Sequence, residues 1–139
     1  MCSTNIIQLC VGAVVFKDDA VLLVKRKKPP NQSQWAIPGG KVRYNEPLKT
    51  AVSREILEEA GIVIHAQEPI YTFEVIDTNR TNDIPFHYVV IDFNAQYISG
   101  VPRASDDAEQ ARWISRKEYS SLNISNITKK MLREKFEFP

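Results

Sequence analysis

Cysteine is scarce in this chain, and its scarcity narrows the class of protein. The two cysteines, Cys2 and Cys10, have neither the spacing of a zinc motif nor enough partners for a disulfide framework. Disulfide-stapled secreted domains and cysteine-ligated metal sites are therefore excluded. A reducing compartment is the default for such a composition, and we predict a cytoplasmic protein.

An excess of charge of one sign is also missing. Eighteen basic and seventeen acidic residues leave a net charge of +1, so the sequence predicts no nucleic-acid partner. No apolar run approaches the roughly 20 residues that a membrane helix needs, so we expect no membrane partner. The apolar segment 6–16 lacks the basic leader of a signal peptide and is typical of a buried strand.

No repeat, low-complexity tract or linker divides the 139 residues, which suit a single domain over residues 1–139. Two β-rich segments, 6–16 and 20–26, flank a turn and predict a hairpin. Helical spacing predicts one helix between Pro47 and Gly61 and another over 126–136. Further strands are predicted at 63–77, 84–98 and 111–114, with polar loops at 27–34 and 78–83. This pattern indicates an α+β fold, with a central mixed β-sheet and flanking helices.

Three carboxylates within five residues dominate the central helix. At 100° per residue, Glu55, Glu58 and Glu59 share one side of the helix and continue its apolar stripe. We therefore expect them to face the body of the protein, at its edge or in a cleft. Two like charges about 4 Å apart repel by roughly 4 kcal/mol at an effective dielectric near 20. A bound cation relieves that repulsion, and oxygen ligands favour Mg²⁺, with Mn²⁺ also suited.

A plainer interpretation of the same helix stays open at this point. Glutamate-rich helices are common, and Arg54 with Glu58 forms an i, i+4 pair that is worth little on a surface. The wider spacing decides between the two interpretations. Gly40, Glu46 and the run Arg54–Ile62 stand at the fixed spacings of a longer pattern.

That pattern resembles the complete Nudix box, and the resemblance extends over essentially the whole chain. It implies an α/β/α sandwich in which a loop–helix–loop segment uses Mg²⁺ to hydrolyse a nucleoside diphosphate linked to another group. It also implies site residues. The metal ligands would be Glu55, Glu58 and Glu59, with a backbone carbonyl of Gly40 or Gly39. Glu46 and Arg54 would complete the catalytic set by holding loop and helix in place.

A finer resemblance concerns the substrate. The segments 25–30, 86–93 and 106–113 are similar to a short ADP-ribose pyrophosphatase-like Nudix group. That likeness implies ADP-ribose as substrate, with AMP and ribose 5-phosphate as products. The chain departs from longer ADP-ribose pyrophosphatases at Thr78, where many of them carry proline. Many Nudix enzymes are dimers, which leaves a homodimer open.

Candidate substrate-binding residues outside the acidic helix are Arg26, Trp35, Gly39 and Gly40. Arg26 would meet phosphates, or it would lie at a solvated strand end. Trp35 would stack on a base, or it would fill the core. Glycines 39 and 40 allow a close approach of backbone to ligand. Asp107 and Glu109 are candidates for an additional acidic residue, acting as metal ligand or base.

Two other functions remain compatible with the sequence. A nucleotide-pool sanitising pyrophosphatase acting on damaged nucleoside triphosphates would share the metal site and differ in the base pocket. A non-catalytic nucleotide-sensing module would keep the fold and lose the chemistry. Such modules usually carry a damaged box or an attached effector domain, and this chain shows neither.

Overall fold

A seven-stranded mixed sheet forms the centre of the computed structural model, which describes residues 6–28, 31–77 and 85–139. The strands are β1 (Gln8–Lys17), β2 (Ala20–Arg26), β3 (Trp35–Ala36), β4 (Gly39–Lys41), β5 (Val63–Ile76), β6 (His87–Ser99) and β7 (Ala108–Ile114). The helices are α1 (Leu48–Ala60), α2 (Arg116–Tyr119) and α3 (Asn126–Phe136). Cys2, Thr78, the Pro29–Pro30 part of the predicted loop and the turn at 78–83 lie outside the described residues.

The sheet is mixed because one pairing at its centre is parallel. The strand order is β3-β2-β1-β6-β5, with β4 paired to β1 and β7 paired to β2. β1 runs parallel to β6 from Gln8↔Tyr88 to Phe16↔Gln96, and the other pairings between the described strands are antiparallel. The predicted mixed sheet and hairpin are confirmed.

Helices cover both faces of the sheet. Alternate residues of β1, such as Val11 and Ala13, pack with Ile56 of α1 in one apolar cluster. Val14 faces the other way and packs with Met131 of α3 in a second cluster. The period of two along the strand therefore supplies two cores. The architecture is an α/β/α sandwich, as predicted.

The two principal helices form where the sequence predicts them. Pro47 precedes the first residue of α1, and Gly61 ends the helix in the left-handed region at φ 75°, donating its N–H to the Leu57 carbonyl at 3.0 Å. Ser125 begins α3 by accepting a hydrogen bond from the Thr128 N–H. Among the described residues, no helix is long and apolar enough to cross a membrane.

Three short elements were not predicted. β3 has two residues and β4 has the sequence Gly-Gly-Lys, so neither carries a strand pattern of its own. β4 owes its conformation to pairing with β1, through Val11↔Gly40 and Gly12↔Gly39. The single-turn helix α2 follows the cap residue Ser115. β7 begins at Ala108, three residues before the predicted strand.

Candidate active site

A cavity of about 440 Å³ lies where α1, β4 and the start of α3 approach the central strands. Its wall includes Glu55 and Glu59 from α1, Gly39 and Gly40 from β4, and residues of β1, β5 and β6. Val11 belongs to the core on the α1 side, so its neighbours Cys10 and Gly12 face the other side of the sheet. The cavity therefore reaches from the carboxylates of α1, past the two glycines, to the α3 side. Its volume lies in the range of small-molecule sites.

Glu59 is the most buried of the three box carboxylates, with 7% of its surface exposed. Burial raises its pKa to about 7, although a hydrogen bond from the Gly39 N–H at 2.9 Å and the charge of Arg26 act in the opposite direction. A carboxyl group that faces a cavity and has a pKa near neutral pH is a candidate for a functional role.

Glu55 lies directly against the backbone of Gly40. A Cβ atom built on Gly40 would lie 1.9 Å from Oε2 of Glu55. Any side chain at position 40 would therefore displace this carboxylate. The glycine leaves the room that Glu55 occupies, which explains physically why β4 carries glycine at this position.

Arg54 joins the helix to the preceding loop. Its guanidinium donates to both carboxylate oxygens of Glu46, at 2.7 and 2.9 Å, and to the Lys41 carbonyl at 2.9 Å. The hydrogen bonds from Arg54 lower the pKa of Glu46 to about 2, and Glu46 in turn raises the pKa of Arg54. Glu46 also accepts from the Arg43 N–H at 3.0 Å. The pair closes the loop between β4 and α1.

The same guanidinium also contacts two box carboxylates. Nη1 of Arg54 lies 2.5 Å from Glu55 and 3.2 Å from Glu58. The Glu58 side chain is 53% exposed, has a second cation in Arg43 at 3.8 Å, and is not among the residues that line the cavity. The three carboxylates therefore grade from buried Glu59 to exposed Glu58, with Glu58 at the edge of the protein.

The donors suit a hard divalent cation in kind, because all are oxygens on one side of a helix next to a glycine cradle. In the described part of the chain, however, no three acidic, histidine or cysteine side chains converge closely enough to hold a metal as they stand. The reason is visible in the contacts. Glu55 and Glu58 share the Arg54 guanidinium, and Glu59 is bound to the Gly39 N–H.

The candidates outside the box separate into two groups. Arg26 and Asp107 line the cavity, and the charges of both act on the pKa of Glu59. Asp107 also pairs with Lys28 at 3.1 Å. Glu109 instead pairs with Lys25 at 3.7 Å and is not part of the cavity wall. The structure thus brings Asp107, and not Glu109, to the box carboxylates.

The structure places Trp35 in the core, which is the second of the two alternatives that the sequence left open for it. Trp35 is 5% exposed and packs in the α3-side core with Ile124, and Arg112 lies 5.6 Å from its ring. The cavity is lined instead by its neighbours Ala36 and Ile37. A two-residue strand gives no periodicity from which to infer which face its side chains take, so the sequence left both positions open.

Sequence reasoning missed a second set of cavity residues. Asp92 on β6, together with Ser125 and Thr128 at the start of α3, lines the wall and is almost completely buried. One signal was available for Asp92, which is the one charged residue between Tyr88 and Phe93. The spacing Ser-x-x-Thr before α3 predicts a cap, and nothing in it indicates a cavity.

The comparison with known families agrees with this fold. The profile described as the NUDIX domain matches residues 7–135. That match covers nearly the whole chain, and the chain belongs to the Nudix family.

Several relatives and solved structures are similar to this chain. An ADP-ribose pyrophosphatase of Methanocaldococcus jannaschii is 32% identical over 105 residues, which are 76% of this chain and 60% of the relative. An 8-oxo-dGDP phosphatase of Danio rerio is 29% identical over 84% of this chain and 35% of its own length. The chain thus matches less than two thirds of each. The crystal structure of a MutT Nudix hydrolase from Burkholderia pseudomallei superposes with a TM-score of 0.73 and 30% identity, covering 94% of this chain and 99% of that one.

Proposed function

We propose that this chain is a Mg²⁺-dependent hydrolase of the pyrophosphate bond in nucleoside diphosphate derivatives, with ADP-ribose as substrate and AMP and ribose 5-phosphate as products. The observation that carries the proposal is the position of Glu55 and Glu59 on the wall of a ligand-sized cavity beside Gly39 and Gly40. The similarity to an archaeal ADP-ribose pyrophosphatase supports the substrate.

Glu55, Glu58 and Glu59, with the backbone of Gly40, would hold the ion, with Mn²⁺ as a second suitable metal. When bound, a divalent ion neutralises the charge of the pyrophosphate and lowers the pKa of a coordinated water. Glu55 and Glu58 already face a cation, the Arg54 guanidinium, at 2.5 and 3.2 Å. The free-energy cost of bringing these carboxylates together is thus partly offset before any ligand arrives.

The remaining residues of the site position the carboxylates and orient the substrate. Arg54 and Glu46 hold α1 against the loop that carries Gly40, so they act on the reaction through the carboxylates they place. Arg26 on the cavity wall would bind a substrate phosphate, since a guanidinium matches phosphate geometry. Asp107 would act as the extra acidic residue, either as an additional metal ligand or as the base.

The direct test mixes the purified chain with Mg²⁺ and ADP-ribose and identifies AMP among the products. The expected result is turnover that a chelator abolishes and that Glu58→Gln reduces strongly. Glu134→Gln, an exposed carboxylate on α3, is the matched control and keeps wild-type turnover. Absence of turnover across a panel of nucleoside diphosphate derivatives and triphosphates, with the Glu58→Gln protein indistinguishable from wild type, contradicts the proposal.

A second candidate is removal of damaged nucleotides, which the 8-oxo-dGDP phosphatase relative favours. It shares the acidic helix and differs in the base that the cavity admits. Comparing kcat/KM for ADP-ribose with that for 8-oxo-dGDP and 8-oxo-dGTP separates the two. Calorimetry that finds tight ADP-ribose binding without hydrolysis would instead favour the nucleotide-sensing module.

A further inference from the structure

Asp92 occupies a part of the cavity that the acidic helix does not reach. It lies on β6 opposite Gly12 of β1, and only 2% of its surface is exposed. Its neighbours Ile91 and Phe93 pack on the α1 side, so alternation along the strand directs Asp92 to the α3 side of the sheet. Its side chain lines the cavity there.

No described residue forms a hydrogen bond or an ion pair with this carboxyl group. Burial alone raises the pKa of Asp92 to about 7, whereas the pKa of Glu59 also responds to Arg26, Glu55 and Asp107. Asp92 lies on β6, whereas Gly39 and Gly40 lie on β4, and these two strands pair with opposite edges of β1. A buried carboxyl group without a partner destabilises the fold, so its presence at the cavity wall points to a ligand that supplies the partner.

The backbone around Asp92 leaves space for this carboxyl group. A Cβ atom built on Gly12 would lie 2.6 Å from Oδ1 of Asp92 and 3.2 Å from the Pro38 carbonyl oxygen. Glycine at position 12 thus leaves the space next to β1 that the Asp92 carboxyl group occupies. The Pro38 carbonyl already accepts from the Ala13 N–H at 3.1 Å.

The strand walls next to Asp92 are apolar and aromatic, and Ser125 and Thr128 at the start of α3 line the same cavity. Strand register places Phe73 beside Val90 and Val75 beside Tyr88, on the same face of β5 and β6 as Asp92. Ile37 closes the corner near Gly12. Such walls suit a flat ring system, and the carboxyl group of Asp92 supplies no positive charge to bind a phosphate at this end. The phosphates would therefore lie toward Arg26 and α1.

We propose that Asp92 is a specificity-determining residue that accepts a hydrogen bond from the exocyclic amine of a purine base in the substrate. The inference rests on the proposed function, because it places the phosphates of the same ligand at the acidic helix. A carboxylate among apolar walls lacks a hydrogen-bond donor, and an amine supplies one. A purine ring packs against aromatic walls better than a ribose does.

The test compares ligands that differ by a single amine. Calorimetry measures the binding of AMP against purine riboside 5′-monophosphate, and of GMP against IMP, to the full chain with Mg²⁺. We expect the amine-bearing member of at least one pair to bind about tenfold more tightly, the effect of one hydrogen bond to a charged group. Asp92→Leu, which has no acceptor, brings that ratio to about one.

Asp92→Asn keeps one acceptor oxygen and loses the charge, so it retains a reduced ratio. Asp18→Asn is the matched control with an unchanged ratio, because Asp18 lies in the turn just after β1, roughly 20 Å from Gly12 at 3.3 Å per residue. If the Asp92→Leu protein does not fold, the Asp92→Asn protein decides the question. A wild-type ratio near one in both pairs, or a full ratio in either Asp92 variant, overturns the proposal.

Hydrolysis assays on the same samples separate this inference from the proposed function. Amine-selective binding without turnover of any nucleotide supports the role of Asp92 and contradicts the hydrolase. Turnover of ADP-ribose with no amine selectivity supports the hydrolase and contradicts the role of Asp92.

Discussion

The buried carboxyl groups at the two ends of the cavity differ in whether they have a hydrogen-bond or ion-pair partner. At the α1 end, each of the two carboxylates on the cavity wall has a partner: Glu55 faces the Arg54 guanidinium, and Glu59 accepts from the Gly39 N–H. At the other end, Asp92 has no such partner within the described residues. The first end is stabilised before any ligand binds, and the second is not. A ligand that spans both ends would bring cations to one and a hydrogen-bond donor to the other.

The largest expected effect comes from the most buried carboxylate of the α1 end. Glu59→Gln keeps the shape and removes the charge, and we expect kcat/KM for ADP-ribose to fall roughly 10²–10³-fold, as when one stabiliser of the transition-state charge is lost. The measurement is steady-state kinetics at saturating Mg²⁺. Glu134→Gln provides the baseline, and a Glu59→Gln protein within twofold of that baseline would remove Glu59 from the mechanism.

Arg54 tests whether the α1 end depends on its built-in cation. Arg54→Lys keeps the charge and loses the two-point contact with Glu46, so we expect kcat/KM to fall about 10–100-fold, as for other residues that position metal ligands. Arg54→Met removes the charge as well and should also lower the melting temperature. Equal kcat/KM in the two variants would mean that the charge of Arg54 contributes nothing. A role for the charge of Arg54 predicts that Arg54→Lys retains the greater activity.

The Asp92 end predicts a pH dependence of stability. The pKa of Asp92 rises from 3.8 to about 7 in the folded protein, so between these values the folded chain keeps a proton that the unfolded chain has released. The contribution of this group is fully present below pH 4 and is lost as the pH rises toward 7, by up to about 1.4 kcal/mol per pH unit. Urea denaturation of wild type and Asp92→Asn at pH 5, 6 and 7 should show wild type losing stability relative to the variant. If the free energies of unfolding of the two proteins changed with pH in parallel, that result would contradict the elevated pKa.

The smallest expected effect separates the two loop acids. Asp107 lines the cavity and Glu109 does not, so Asp107→Asn should lower kcat/KM several-fold while Glu109→Gln should stay within twofold. The surface pair of Glu109 with Lys25 is worth at most about 1 kcal/mol, so its loss should leave the fold intact. The reverse order of the two variants would assign the extra acidic role to Glu109.

The α1 end of the cavity could be predicted from the sequence because the patterns that indicate it are local. Helical spacing placed Glu55 and Glu59 on the inward side, Pro47 and Gly61 marked the ends of the helix, and alternation identified the long strands. These features depend on neighbours within a few positions along the chain. The mixed sheet with packed helices and the position of the acidic helix could therefore be predicted, whereas the α/β/α layering was implied by the resemblance to the Nudix family.

The Asp92 end could not be predicted because it is formed by segments that are far apart in the sequence. Asp92 acquires its position from the pairing of β6 with β1, and Ser125 reaches the cavity only because α3 packs across the sheet. β4 shows the same limit, since its Gly-Gly-Lys sequence becomes a strand through pairing with β1. A single carboxylate in an apolar strand carries no spacing from which a partner or a cavity could be inferred.

The parallel pairing of β1 with β6 also bears on the order in which the molecule folds. Gln8 pairs with Tyr88, about 80 positions later, so closing the centre of the sheet requires a long loop and contributes to a high contact order. During synthesis, the hairpin and α1 emerge well before the strand that carries Asp92. We expect the nascent chain to hold the acidic helix for some time before the cavity exists, and ligand binding to appear only with the final, cooperative folding step.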